Sequence, residues 1–260
     1  HVARSLGLES VYRASAGRKA RARTEPLLCE ARRIAGVTND PYLQGWALAA
    51  SGAADCLAGY FGAAAAKLRQ AELVFTQKIA GTTWEVNNTR VMLMLALRQM
   101  GAFKELEVRL EDCLRDAARR GDRFAETTLT RAINTVWIAR NDPARAHREL
   151  EKKLWSPPET GFLHLQHWYE LRARGELWLY EGKAQGARDV FAQAIRAVER
   201  SLLSRVQIVR ADFAWIRTRL LLAEAETPAE RREVERAARR LDREPVPYAR
   251  VWAKLLLAGI

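Results

Sequence analysis

The segment GFLHLQHWYELRARGELWLYEGKAQGARDVFAQAIRAVERS, residues 161–201, decides the fold. It reads as two helices joined by a short turn at Glu181, Gly182 and Lys183, with apolar residues returning every three or four positions in both halves. Neither helix can bury its apolar stripe alone, so the pair is expected to act as one unit of a stack.

Working outward, most other segments repeat this plan. From Val2 to about Ser15 the pattern is helical, and the basic residues after Gly17 lead into a second helix expected to end near Ala35, with Gly36 as its stop. Asn39 or Asp40 is suited to cap the next helix and Pro41 to open its first turn. Further breaks fall at Gly59, Gly81, Gly101, Gly121 with Asp122, Asn141 to Pro143, Pro157 to Gly161, Gly182, near Ser201, and at Thr227 with Pro228. Pro245 and Pro247 then begin a last helix with no hairpin mate after it.

Repeat starts at Gly36, Gly81, Gly121, Gly161 and Ser201 give spacings of 45, 40, 40 and 40 residues. Helix-turn-helix units of that length predict an all-α, right-handed solenoid of the tetratricopeptide kind, lengthened beyond the usual ~34 residues. Residues 1–260 are expected to form a single such array, with about six helix pairs and an unpaired C-terminal helix, as part of a larger multidomain protein.

Composition narrows the function classes. Nearly half the residues are apolar and 28% are charged, which suits an ordered chain rather than a disordered one. The net charge of +12 invites a polyanion partner, and the densest basic runs are Arg18 to Arg23 and Arg231 to Arg243. Arginine is nevertheless spread along every segment with Glu or Asp nearby, so solvated helix faces are expected and nucleic acid is not the leading partner. Cys29, Cys56 and Cys113 stand singly in apolar helical pattern, which favours thiols in a reducing compartment. With neither a leader nor an apolar run of spanning length, the expected location is cytoplasmic.

The constant spacing allows equivalent positions to be compared. Asn87, Thr127, His167 and Gln207 lie six residues after their starts, and Arg90, Thr130, Glu170 and Arg210 lie nine after. Residues three apart share a helical face, so stacked repeats would align them as two polar columns. The expected site is a concave groove for a protein or peptide, extended by Asn134 and Arg174 and flanked by Trp84 and Trp168. A sugar-like small molecule, stacked on Trp84 and Trp168, is the alternative occupant. The other tryptophans, Trp46 among them, read as core.

Catalytic and metal chemistry are not expected. The chain has no Gly-rich phosphate loop, no nucleophile elbow and no paired-cysteine metal site. His164 and His167 share a face with Glu170, but their spacing differs from the zinc-protease pattern and a third ligand is missing, so no cofactor or metal is expected.

The motifs GTTWEVNNTR (81–90), RRGDRFAETTL (119–129), FLHLQHWYELRARGELWLYEG (162–182) and SLLSRVQIVRADFAWIRTRLLLAEA (201–225) together resemble a known family region. It is the C-terminal tetratricopeptide-like part of large bacterial signalling proteins that carry a serine/threonine kinase domain and a STAND-type ATPase module. The resemblance covers roughly Pro41 to Ile260 and extends, more distantly, to the sensor region of maltose-regulator-type transcription activators. It implies a non-catalytic module that senses a ligand or protein and regulates, or recruits substrates to, kinase and ATPase domains outside this chain. No family catalytic residue can be carried over, since kinase motifs and a P-loop are absent from the sequence. A homodimer through the C-terminal helix is a further expectation from its exposed apolar residues.

Overall fold

The computed structural model of the chain describes residues 1–152, 154–157 and 163–260, apart from the side chains at 186, 188, 189, 195 and 196. The described residues are helical throughout, joined by turns, with no strand among them. They divide into two compact units, His1–Leu110 and Glu111–Ile260.

The first unit contains α1 (Val2–Ala14), a single 3-10 turn, α2 (Arg21–Thr38), α3 (Pro41–Leu57), α4 (Phe61–Lys78), α5 (Thr83–Gln99) and the first part of α6 (Phe103–Arg120). Its helices pack chiefly α1 on α2 and α3, α3 on α4, and α4 on α5. The second unit holds the rest of α6 with α7 (Arg123–Ala132), α8 (Thr135–Ala139), α9 (Pro143–Glu151), α10 (Leu165–Tyr180), α11 (Ala184–Arg200), α12 (Gln207–Ala223), α13 (Pro228–Asp242) and α14 (Pro247–Ala258). Here α7 packs on α10, α10 on α12, and α12 on α13 and α14.

One device recurs at the turns. Gly59, Gly101, Gly121 and Gly182 take φ between 65° and 84°, and the residue after each sends its backbone N–H back five residues, as Tyr60 does to Asp55 at 2.8 Å and Lys183 to Trp178 at 2.8 Å. This left-handed closure satisfies carbonyls that the helix end leaves open, and a side chain there would be strained. Starts are equally explicit. Asp40, Asp122 and Asp142 each accept a backbone N–H of the first turn, while Thr227 and Glu230 form a reciprocal capping box ahead of Pro228.

Three expectations change. Helix α2 does not stop at Gly36 but runs to Thr38, and Asn39 at φ 48° supplies the left-handed closure. The run expected to be one helix between Gly121 and Asn141 is broken at Ile133 and Asn134 into α7 and α8. There the Asn134 amide donates to the Thr130 carbonyl at 3.2 Å and to the Ala146 carbonyl of α9 at 3.1 Å, so the side chain serves the backbone of two helices. The last helix has no later mate, yet its inner face is covered: Ala249, Ala253 and Leu256 are buried against Ala211, Ala238 and Leu241, with Trp215 and Trp252 stacked beside them. The break expected at Pro157 to Gly161 lies, from residue 158 onward, outside the described residues.

Candidate functional site

In the first unit, α1, α3 and α5 leave a pocket of about 190 Å³. Its body is apolar, lined by Leu8 and Val11 of α1, Trp46, Ala49, Ala50 and Ala53 of α3, Leu68 and Phe75 of α4, and Met92 of α5; Trp84, Glu85, Asn88 and Thr89 of α5 complete it. The small residues follow from the sequence of α3, GWALAASGAA at 45–54, whose alanines and glycines let neighbouring helices approach without filling the space between them. Gly45 is one such contact, since a Cβ there would meet the Phe75 ring at 2.8 Å.

An aromatic ladder crosses this site. Tyr42 stacks on Trp46 with centroids 6.5 Å apart and planes 11° from parallel, and Trp46 on Trp84 at 6.1 Å and 21°. Trp46 is 7% exposed whereas Trp84 is 55% exposed, so the ladder runs from core to surface. The Arg4 guanidinium lies 5.3 Å from the Trp46 ring and 6.0 Å from that of Tyr42, a cation–π arrangement. The Trp46 indole N–H is satisfied by the Arg4 carbonyl at 3.1 Å.

Glu85 is the one charged residue among those lining the pocket, and its side chain is only 11% exposed. Tyr42 donates its hydroxyl to Glu85 Oε1 at 2.8 Å, and Arg4 Nη2 approaches the same oxygen at 4.0 Å. Burial first, and then this hydrogen bond, push the Tyr42 phenol above its ordinary range. Asn88 donates its amide to the Trp84 carbonyl at 2.8 Å, which leaves its oxygen free of that bond. The arrangement offers shape, aromatic faces and hydrogen-bond acceptors. No histidine, cysteine or lysine lines it.

The twelve residues expected to line a groove separate into three environments. Trp84 is exposed at the pocket, with Asn87 half-buried on the same helix, while Arg90 donates to Glu72 at 2.7 Å within a network that also joins Arg109, Glu105 and Arg69. In the second unit, Thr127, Thr130, Asn134, Trp168 and Gln207 are buried rather than presented to solvent. His167, Glu170, Arg174 and Arg210 are half-buried; Glu170 holds Arg131 at 3.2 Å and Arg174 at 2.8 Å, and Arg210 holds Glu244 through two nitrogens at 2.6 and 2.9 Å.

In the second unit α7 packs on α10 and α10 on α12, so Thr127, Thr130 and Gln207 are buried, while His167, Glu170 and Arg210 keep part of their surface exposed. Gln166 donates to the Thr128 hydroxyl, Arg172 to the Ala132 carbonyl, Thr135 to Glu176, and Trp168 packs on Phe213 at 5.6 Å. Arg172 is 1% exposed and is held by Glu176 at 3.5 Å. Among the described residues, Thr127 Oγ1, Asn134 Oδ1 and Gln166 Oε1 are buried here without a hydrogen-bond partner.

The two neighbouring histidines are helix caps. His164 Nδ1 accepts the Gln166 N–H at 3.2 Å and His167 Nδ1 accepts the His164 N–H at 3.0 Å, closing a capping box on α10. Burial first, then the charges of His164 and Arg131, hold His167 below the usual imidazole range, against the pull of Glu170. Among the described residues no three His, Cys, Asp or Glu side chains gather as a metal site. Nor is any described helix long and apolar enough to cross a membrane. Of the basic runs, Arg18 and Arg21 lie over the Tyr60 ring at 5.7 and 4.4 Å, while Arg232, Arg236, Arg240 and Arg243 on and after α13 are exposed.

No protein-family model, curated protein or solved structure matches the chain. The site therefore rests on its own geometry. Sequence reasoning placed Trp46 in the core and did not single out Tyr42, Glu85 or Arg4. The available signal was glycine inside helical pattern at Gly7 and Gly45, which marks close approach of neighbouring helices.

Proposed function

We propose that the chain is a non-catalytic sensor module that binds a small, largely apolar molecule in the Trp46–Trp84 pocket. The observation that carries this reading is the pocket itself: a cavity of about 190 Å³ with an apolar body, an exposed aromatic edge and a few acceptors at one side. Binding sites of this kind are mostly apolar, with few polar groups that orient the ligand. An oligosaccharide would need many more hydrogen-bond partners than Glu85, Asn88 and Thr89 provide, so the lining favours an apolar ligand over a sugar.

The helix pairs and their repeated left-handed glycine turns support a right-handed tetratricopeptide-like solenoid as the framework. In that framework the ligand would tie α1, α3 and α5 together, and a regulated kinase or ATPase domain outside the chain would respond to the change. A protein or peptide partner fits the exposed part of the same surface, with Trp84 as its anchor.

The test is thermal. Titrating the whole chain with one-ring neutral aromatics such as 2-phenylethanol should raise the melting temperature in a saturable way, and Trp84→Ala should reduce the rise. If none of a panel of such compounds shifts the wild-type transition, the sensor reading is wrong.

A further inference from the structure

The pocket's chemistry narrows its ligand. Resting on the sensor reading above, we propose that the site selects a small aromatic amine, with one ring in the apolar body and the ammonium group on Glu85.

Size sets the first limit. A cavity of roughly 150 Å³ lined by aliphatic and aromatic side chains accommodates benzene, so about 190 Å³ suits one ring with a short substituent. Phe75, Leu68 and Met92 supply a dry surface for that ring, and the alanines at 49, 50 and 53 leave its volume open.

Charge sets the second. Glu85 is the one charged residue lining the pocket, and Arg4, 4.0 Å from its Oε1 but with its side chain 47% exposed, offsets that charge only in part, so a ligand there meets a negative charge even in a chain of net charge +12. The Tyr42 and Arg4 contacts are both made to Oε1. A second carboxylate oxygen therefore remains to accept a charge-assisted hydrogen bond, which is shorter and stronger than a neutral one. Trp84, next to Glu85 in the chain and 55% exposed, presents an indole face at the pocket, and an ammonium group gains further attraction from such a face. A ligand carboxylate would meet like charge at the same place and would be rejected.

Isothermal titration of the whole chain with 2-phenylethylamine, 2-phenylethanol and 3-phenylpropionate separates the two claims. The amine should bind about tenfold or more tightly than the alcohol, and the acid should bind weakest. Glu85→Gln still accepts the Tyr42 hydroxyl, so the fold is kept, and it should bring amine and alcohol to within about threefold of each other by removing the charge-assisted bond. Ala53→Leu fills the cavity; it should abolish binding of both without lowering the melting temperature. Equal affinity for the three compounds would overturn the amine assignment and leave the pocket reading standing. Failure of all three to bind would overturn both, and unchanged binding by Ala53→Leu would place the ligand elsewhere.

Discussion

Gly7 on α1 lies so close to Trp46 on α3 that a Cβ built on it would stand 2.5 Å from the indole Nε1. The same indole N–H donates to the Arg4 carbonyl at 3.1 Å, so one hydrogen bond and one missing methyl fix the two helices at that distance. Gly7→Ala should push the ring off its acceptor and destabilise the first unit by about 1–3 kcal/mol, the usual range for overpacking a tight contact. A urea titration would show this as a lower midpoint at an unchanged slope. A wild-type midpoint would mean that the ring relocates freely.

Glu105 provides a pH signature. Hydrogen bonds from Arg69 at 2.6 and 3.0 Å, and then from Arg109 at 2.8 Å, outweigh the effect of burial and hold its carboxyl at about 2, below the ordinary 4.5. A depressed folded-state value means that its contribution is complete above pH 4.5 and is lost as pH falls from there toward 2. The side chain is 36% exposed, so screening limits the contribution to about 1 kcal/mol or less. Glu105→Gln should flatten that part of the acid-unfolding curve and leave stability above pH 6 lower than wild type by a similar amount. An unaltered acid limb would sink the assignment.

Arg210 acts on the fold. Its guanidinium joins α12 to Glu244, in the turn before α14, and also donates to the Ser204 carbonyl at 3.0 Å. Arg210→Ala should lower stability by about 1 kcal/mol, and Arg210→Lys should restore only part of it because an ammonium group cannot reproduce the two-nitrogen contact. Calorimetry at low and high salt would show a smaller difference at high salt. A salt-independent difference would point to lost packing by the aliphatic stem instead.

Asn134 is wholly buried between α7 and α9. Asn134→Ala leaves the Ala146 carbonyl without that donor and should destabilise by about 1–3 kcal/mol. Hydrogen exchange should show α7 to α9 opening more readily, with the first unit's amides unaffected. Uniformly faster exchange through both units would contradict a local role.

Many helix boundaries were legible because they rest on local chemistry: an Asp or Thr cap, a proline in the first turn, a glycine or asparagine in the left-handed region. Where a boundary depended on distant partners, the sequence misled. Nothing local distinguishes Asn134 from a surface asparagine, since its second acceptor is twelve residues away on another helix. The same limit explains the site. A period of 40 residues identifies which positions are equivalent, but only packing decides whether that shared direction meets water or the next helix. Thr127 and Gln207 are buried, whereas Asn87 and His167, at the equivalent positions, keep part of their surface exposed.

Each compact unit also keeps a pair of near-parallel indoles of its own, Trp46 with Trp84 in the first and Trp215 with Trp252, 5.3 Å apart and 19° from parallel, in the second. Transition dipoles held that close couple, and where their directions are skewed the coupled dipoles split into bands of opposite sign in circular dichroism. The chain thus carries two built-in optical clocks. Trp84→Phe silences the first and Trp252→Phe the second, so the difference spectra would time the melting of each unit separately and reveal whether one heat transition hides two events.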